Sequence, residues 1–301
     1  MEKVRILFLG TSAGVPTEKR NHTAILLVYK GNYILFDCGE GTQRQFKKVK
    51  ISPLRINKIF ITHLHADHVL GLAGLLQTMA MNRYEKKLEV YGPKGIKKYI
   101  LSLIDFFPII ERIDLSVNEL NKDSEILEFE DFFIKAKKLK HTTTVYGYQF
   151  KERDKIKIKE KYVKLLGGPS PLFKKLKEGK SIIYKGKKIS PKEATYKVEG
   201  RKITIILDTK KCKNIFLLAK DSDLLIVECV YKEELQELAE DYFHLTTRDV
   251  IEIVKKTNPK ITFITHISER YEGKEEELLR EIKRKIKKKV NLAHDLSEIY
   301  L

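Results

Sequence analysis

Tryptophan is absent from the 301 residues, and cysteine and methionine occur only three times each. Cys38, Cys212 and Cys229 are odd in number and lack CxxC spacing, so neither a disulfide framework nor a cysteine-type zinc site is indicated. No apolar stretch approaches the roughly 18 residues of a membrane span, because Lys, Asp or Glu breaks each one, as Lys30 and Asp37 do around Tyr33–Phe36. The opening residues alternate like a strand and hold too few apolar positions for a signal-peptide core. These absences predict a soluble, cytoplasmic chain with no membrane partner and with packed thiols. Acid is also in short supply, with 41 Asp and Glu against 59 Lys and Arg, a net charge of +18. Ion-pair networks of a heat-adapted surface would account for many lysines but not for the imbalance of sign, so attraction to a polyanion, nucleic acid first, is the expected consequence.

What is present suits a globular core, since 42% of the residues are hydrophobic and 33% charged. The basic excess is uneven. From Lys151 to Val198, sixteen Lys or Arg face five acidic residues, a net of +11 over 48 residues. This stretch carries the Gly167-Gly168-Pro169-Ser170-Pro171 cluster and interleaves its charge with Tyr162, Leu165, Leu166, Leu172, Phe173 and Leu176. It reads as a basic arm, residues 151–198, inserted in a single domain that spans 1–301, and as a small knob with a face for phosphates. A second basic run, Arg280 to Lys289, keeps Leu279, Ile282 and Ile286 on one helical face and reads as a solvated surface.

Short apolar runs predict strands at Val4–Leu9, Ala24–Tyr29, Tyr33–Phe36, Lys58–Thr62, Leu88–Tyr91, Phe132–Lys137, Tyr146–Phe150, Ile203–Leu207, Leu224–Cys229 and Ile261–Thr265. Helices are expected at Gly41–Lys48, Val69–Met81, Pro93–Phe106, Lys232–Ala239, Thr247–Lys256 and Lys274–Lys288. So many strands need at least two sheets, and the alternation with helices predicts an α/β layered fold.

The strongest local signal is Thr62-His63-Leu64-His65-Ala66-Asp67-His68, between a strand and an apolar helix. Imidazoles suit zinc and similar metals, and a carboxylate adds negative charge and a proton acceptor. A loop at a strand's end can aim His63 and His65 to one side and Asp67 and His68 to the other, serving two metals. The remaining ligands should lie at other strand ends, where the sequence places His141, Asp208 and His266. Singly, each of these also fits a turn or cap residue.

His-x-His-x-Asp-His followed by a later His, Asp and His is the ligand order of the metallo-β-lactamase superfamily, and the surroundings resemble ribonuclease Z, the transfer-RNA 3′-processing endonuclease. The likeness runs through Phe8-Leu9-Gly10-Thr11, Pro16-Thr17-Glu18-Lys19-Arg20-Asn21, Phe36-Asp37-Cys38-Gly39-Glu40-Gly41-Thr42-Gln43, Tyr146-Gly147-Tyr148, Asp208-Thr209, the Glu228-bearing strand, His244 and Thr265-His266-Ile267-Ser268. In the arm, Ser170-Pro171 and Leu176-Lys177-Glu178-Gly179 match a Gly-Pro element and its tail. The resemblance implies a four-layer αββα sandwich with a protruding basic exosite arm. It implies two zinc ions per subunit, one held by His63, His65 and His141 and the other by Asp67, His68 and His266, with Asp208 bridging. It further implies metal-activated hydroxide attack that removes the 3′ trailer of precursor tRNA, with His244 as proton donor, Glu228 orienting it and Asp67 as proton acceptor. Lys19, Arg20, Asn21, Pro171, Lys174, Lys175 and Lys177 would contact RNA, and family practice predicts a homodimer. Two rivals stand beside this: another hydrolase or phosphodiesterase of the superfamily, which gives the arm no purpose, and an RNA-binding protein with a degenerate metal site, which would not need all seven ligands.

Overall fold

The computed structural model describes residues 2–168 and 170–301, and the chain divides into two compact units, Met1–Glu128 with Ile134–Phe150 and Lys202–Leu301, and Phe129–Phe133 with Lys151–Arg201. The strands are β1 (Arg5–Gly10), β2 (Ala24–Tyr29), β3 (Asn32–Phe36), β4 (Lys58–Phe60), β5 (Leu88–Pro93), β6 (Leu115–Leu120), β7 (Ser124–Glu128), β8 (Phe132–Lys138), β9 (Tyr146–Glu152), β10 (Lys155–Ile158), β11 (Ile182–Tyr184), β12 (Lys187–Ile189), β13 (Thr195–Val198), β14 (Lys202–Ile206), β15 (Leu224–Glu228), β16 (Ile261–Thr265), β17 (Val290–Leu292) and β18 (Glu298–Tyr300). Among the described residues fourteen of them form two seven-stranded sheets, ordered β18-β1-β2-β3-β4-β5-β6 and β17-β16-β15-β14-β9-β8-β7. Strands β3 to β6 are mutually parallel, as are β14 to β17.

Period-two alternation explains the layering, because successive side chains leave a strand on opposite faces. In the first sheet Leu7, Leu9, Leu26, Leu35, Ile59 and Val90 pack against helices, while Phe8, Tyr29, Phe36 and Phe60 turn the other way. There they meet the second sheet: Phe8 stands 5.6 Å from Phe263, Tyr29 5.5 Å from Phe150, and Phe60 5.4 Å from Tyr148. The opposite face of that sheet sends Leu225, Val227 and Ile264 among Ile253, Leu278 and Ile282 of its own helices. Four layers result, helices outside two face-to-face sheets. Central strands such as Leu224–Glu228 are buried on both faces and so are apolar throughout until their last residue.

Several boundaries differ from expectation for local reasons. The helix expected over Val69–Met81 is two, Ala66–Val69 and Gly71–Met81, so Asp67 and His68 are themselves helical. Gly95, at φ 103°, delays the helix expected from Pro93 until Ile96. Strands β6, β7, β17 and β18 lie at sheet edges or near them and are short or half-exposed, which leaves little apolar signal.

In the second unit, residues 151–198, where no apolar run predicts a strand, hold an antiparallel ribbon, β10 with β13, and a hairpin, β11 with β12, turning at Lys185 and Gly186 with φ 47° and 74°. Leu166, Leu176, Ile182, Ile189 and Ala194 form its core, with Tyr162, Leu172 and Phe173 against them. Buried Glu152 accepts two hydrogen bonds from the Arg201 guanidinium at 2.8 and 2.5 Å, joining the two ends of the insertion. Among the described residues no helix is long and apolar enough to cross a membrane.

Candidate metal centre

The parallel strands aim their carboxyl-terminal ends at one place. Asp37 follows β3, His63 lies just past β4, Asp208 follows β14, Glu228 ends β15 and His266 follows β16. Asp37, Asp208 and His266 take φ of 55°, 41° and 56°, a left-handed conformation that non-glycine residues adopt seldom and at a cost of about 1–3 kcal/mol each. The sharp reversal turns these side chains back over the strand ends. The His63–His68 loop sits close beneath, and glycine is required there: a Cβ on Gly39 would stand 2.5 Å from the Asp67 carbonyl oxygen.

The donors form two overlapping sets, His63, His65, His141 and Asp208, and Asp67, His68, Asp208 and His266, with every ligand atom of a set within 4.8 Å of the others. In the first, His65 Nδ1 is 3.2 Å from His141 Nε2, and His63 Nε2 is 3.5 Å from Asp208 Oδ2. In the second, His68 Nε2 is 3.2 Å from His266 Nε2, 3.2 Å from Asp67 Oδ2 and 3.3 Å from Asp208 Oδ1. Two nitrogens each bonded to one tetrahedral ion at the usual length stand about 3.3 Å apart, so these separations suit a small four-coordinate cation. The polar atoms agree. His63 Nε2 and Asp208 Oδ1 are buried without a hydrogen-bond partner, a loss of about 1–3 kcal/mol apiece that an ion between them would offset.

Orientation comes from a second ring of hydrogen bonds. Asp37 accepts from the Thr62 backbone N–H at 2.7 Å, from Thr62 Oγ1 at 2.8 Å and from His68 Nδ1 at 2.7 Å. Thr62 Oγ1 in turn accepts from His63 Nδ1 at 3.0 Å, and the Phe243 carbonyl accepts from His141 Nδ1 at 3.3 Å. The three bonds made by histidines place a proton on Nδ1 and leave Nε2 able to ligate a metal. The field is that of a cation site: burial works to discharge His266 and His68, yet the carboxylates around them, Asp208 with Asp67 at His266 and Asp208 with Asp37 at His68, together outweigh it and carry His266 up to about 10. Burial instead takes His141 down to about 4 and His63 well below its ordinary value, keeping both neutral, the form that binds metal.

Beside the sets lies a dyad. Buried Glu228 accepts from the Thr209 N–H at 2.5 Å through Oε1 and from His244 Nδ1 at 3.0 Å through Oε2. Burial pulls the His244 imidazole down, but the charge and hydrogen bond of Glu228 hold it above the usual histidine value. The His244 ring stands 5.4 Å from that of His141 and 5.9 Å from that of His266, on one open cleft with His65, Asp67 and Asp208.

Curated proteins named Ribonuclease Z match this chain along most of its length. That of Nanoarchaeum equitans (strain Kin4-M) is 39% identical over 269 residues, 89% of this chain and 84% of that protein. That of Bacillus cereus (strain B4264) is 37% identical over 306 residues, 97% and 98%. The chain belongs to the ribonuclease Z family. Residues 4–162, just over half of the chain, also match the family model described as Anti-Pycsar protein Apyc1, and this portion belongs to that family as well. Among solved structures, human tRNase Z, short form, is 27% identical with a TM-score of 0.73 over 98% of both chains. The metallo-beta-lactamase fold protein YhfI from Bacillus subtilis, 14% identical, reaches 0.72 over the whole of both chains and shows the same fold.

Ribonuclease Z likeness had suggested RNA contacts for Lys19, Arg20 and Asn21, and these three sit differently. Lys19 is exposed, whereas Arg20 is 3% exposed, its guanidinium donating to Thr11 Oγ1 and the Ala293 carbonyl and pairing with Glu275. Asn21 donates from Nδ2 to the Glu40 carbonyl at 2.6 Å. Arg20 thus ties the loop down instead of reaching outward. In the second unit, Pro171 opens the helix Pro171–Lys177, whose Lys174, Lys175 and Lys177 are exposed, and the Ser170 hydroxyl caps it by accepting from the Leu172 N–H. Asp37 went unassigned on sequence grounds, although an aspartate closing an apolar strand is a signal of its kind.

Proposed function

We propose that this protein is a zinc-dependent endoribonuclease that removes the 3′ trailer of precursor tRNA, leaving a 3′ hydroxyl on the tRNA and a 5′ phosphate on the trailer. The observation that carries the reading is the convergence of two donor sets sharing Asp208, with the Glu228–His244 pair beside them, in a ribonuclease Z family member matched over nearly its whole length. His63, His65 and His141 would hold one zinc, Asp67, His68 and His266 a second, and Asp208 both. Two such ions supply Lewis acidity and water activation at neutral pH, and neutralise charge on the phosphodiester. Asp67 then accepts the proton of the attacking water, and its carboxyl, held well below the usual range despite burial by hydrogen bonds to His266 and His68, is ionised and ready to do so. His244, fixed through Nδ1 by Glu228, carries a proton on Nε2 for the departing 3′ oxygen.

The arm supplies recognition. Lys174, Lys175 and Lys177, with Pro171 and with Lys19 and Asn21 of the loop that Arg20 holds, grip phosphates of the folded RNA, which is read by shape. The reading carries with it a cytoplasmic homodimer. A second reading is another hydrolase of this fold, and the Apyc1 match, which ends at residue 162, before Asp208, Glu228, His244 and His266 and before most of the basic arm, does not favour it.

The test is an end-labelled precursor tRNA incubated with zinc-loaded protein beside the His65→Ala variant. One cut at the trailer junction, lost in the variant, supports the reading; no cut, with zinc-dependent hydrolysis of bis(p-nitrophenyl) phosphate, moves the assignment to the second reading. Deleting residues 155–198 should raise KM for the precursor by about 10- to 1000-fold, as several phosphate contacts vanish, and flatten its salt dependence. Unchanged KM and salt slope would deny the arm any role in binding.

A further inference from the structure

The lip of the cleft carries an aromatic side chain that the hydrolysis does not use. Tyr242 is 59% exposed and lines the same cleft as His65, Asp67, His141 and His244. It follows the helix Gln236–Asp241, donating its N–H to the Leu238 carbonyl at 3.1 Å. Phe243 then takes a left-handed φ of 58°, seldom adopted by a bulky residue. This reversal seats Phe243 with its ring 4.3 Å from the Lys210 ammonium and its carbonyl on His141 Nδ1. It also leaves Tyr242 on the cleft two residues before His244, whose N–H donates to the Ala239 carbonyl at 2.8 Å. A tyrosine ring left in water gains the fold little, since its burial would have contributed more.

We infer that Tyr242 is the platform on which the nucleobase 5′ to the scissile phosphate stacks. The inference rests on the ribonuclease reading above and assigns one contact within it. His244 gives its proton to the 3′ oxygen that departs, and that oxygen belongs to the nucleoside on the 5′ side. Tyr242 shares a turn of chain with His244, so the base brought to the ring is the one attached to the sugar whose oxygen His244 protonates. Every base offers a π-face, so such a platform orients the sugar without choosing among sequences.

A double-mutant cycle tests this, with wild type and Tyr242→Ala each acting on precursor tRNA and on the same precursor made abasic at the 5′ position. On the intact precursor Tyr242→Ala should lower kcat/KM by about 5- to 150-fold, the worth of one base–aromatic stack. Removing the base should cost wild type a similar factor, and the two changes together should cost no more than either alone. Tyr242→Phe, which keeps the ring, should restore most of the loss, and zinc content should be unaltered. Multiplying losses, or coupling to the base 3′ of the cut instead, would overturn the assignment. Failure of wild type to cut the intact precursor would remove the ribonuclease reading and the platform together, whereas cleavage without coupling removes the platform alone.

Discussion

Replacing Asp208 with alanine should lower kcat/KM on precursor tRNA by at least about 10³-fold, the several kcal/mol that metal-ion charge stabilisation supplies, and should strip more than one zinc per chain. Asp208 is common to both donor sets: Oδ2 lies 3.5 Å from His63 Nε2, while Oδ1 lies 3.0 Å from His266 Nε2. Its loss leaves the first set with three imidazoles and no carboxylate, and the second with Asp67 as its single carboxylate. The charge matters as much as the shape, so Asp208→Asn, which preserves volume, should recover little. Metal analysis after dialysis gives the direct readout, with circular dichroism to check folding. An alanine variant that kept two zinc ions per chain and a tenth of its activity would show that the sets do not share this residue.

The contrast with Asp37 explains how much of the centre is legible in sequence. The candidate donors fall where a strand pattern ends and a His or Asp follows, and the His63–His68 run is dense enough to stand alone. Asp37 obeys the same rule but lacks a dense neighbourhood, and its role depends on Thr62 and His68, 25 and 31 residues away. Arg20 shows the limit from the other side. A basic loop residue beside Asn21 reads as a contact for RNA, yet its partners Ala293 and Glu275 arrive 273 and 255 residues later and bury it. Edge strands behave alike: β18 owes its place to pairing with β1 and not to its own three residues. Local patterns carry the central strands and the strand-end chemistry, while whatever is set by distant pairing comes only with the fold.

Substituting His244 with alanine should lower kcat by about 10²–10⁴-fold with both zinc ions retained, because the variant loses a proton donor and no ligand. Retention of metal separates it from Asp208→Ala, and choice of substrate separates proton donation from positioning. From bis(p-nitrophenyl) phosphate the leaving group is p-nitrophenolate, which departs without needing a proton, so the loss should shrink greatly there; equal losses on this ester and RNA would take His244 out of the acid's role. The pH profile then assigns Glu228. A general acid works while protonated, so its raised pKa keeps the enzyme active to higher pH, and activity falls as pH climbs through that value. Burial pulls the His244 imidazole down and the Glu228 carboxylate, 3.0 Å from Nδ1, lifts it. Glu228→Gln removes the lift and leaves the burial, so the alkaline limb should move to lower pH, while the acid limb, which belongs to other groups, stays. A limb that did not move would mean that Glu228 holds the Thr209 backbone alone and leaves the proton on His244 to its other neighbours.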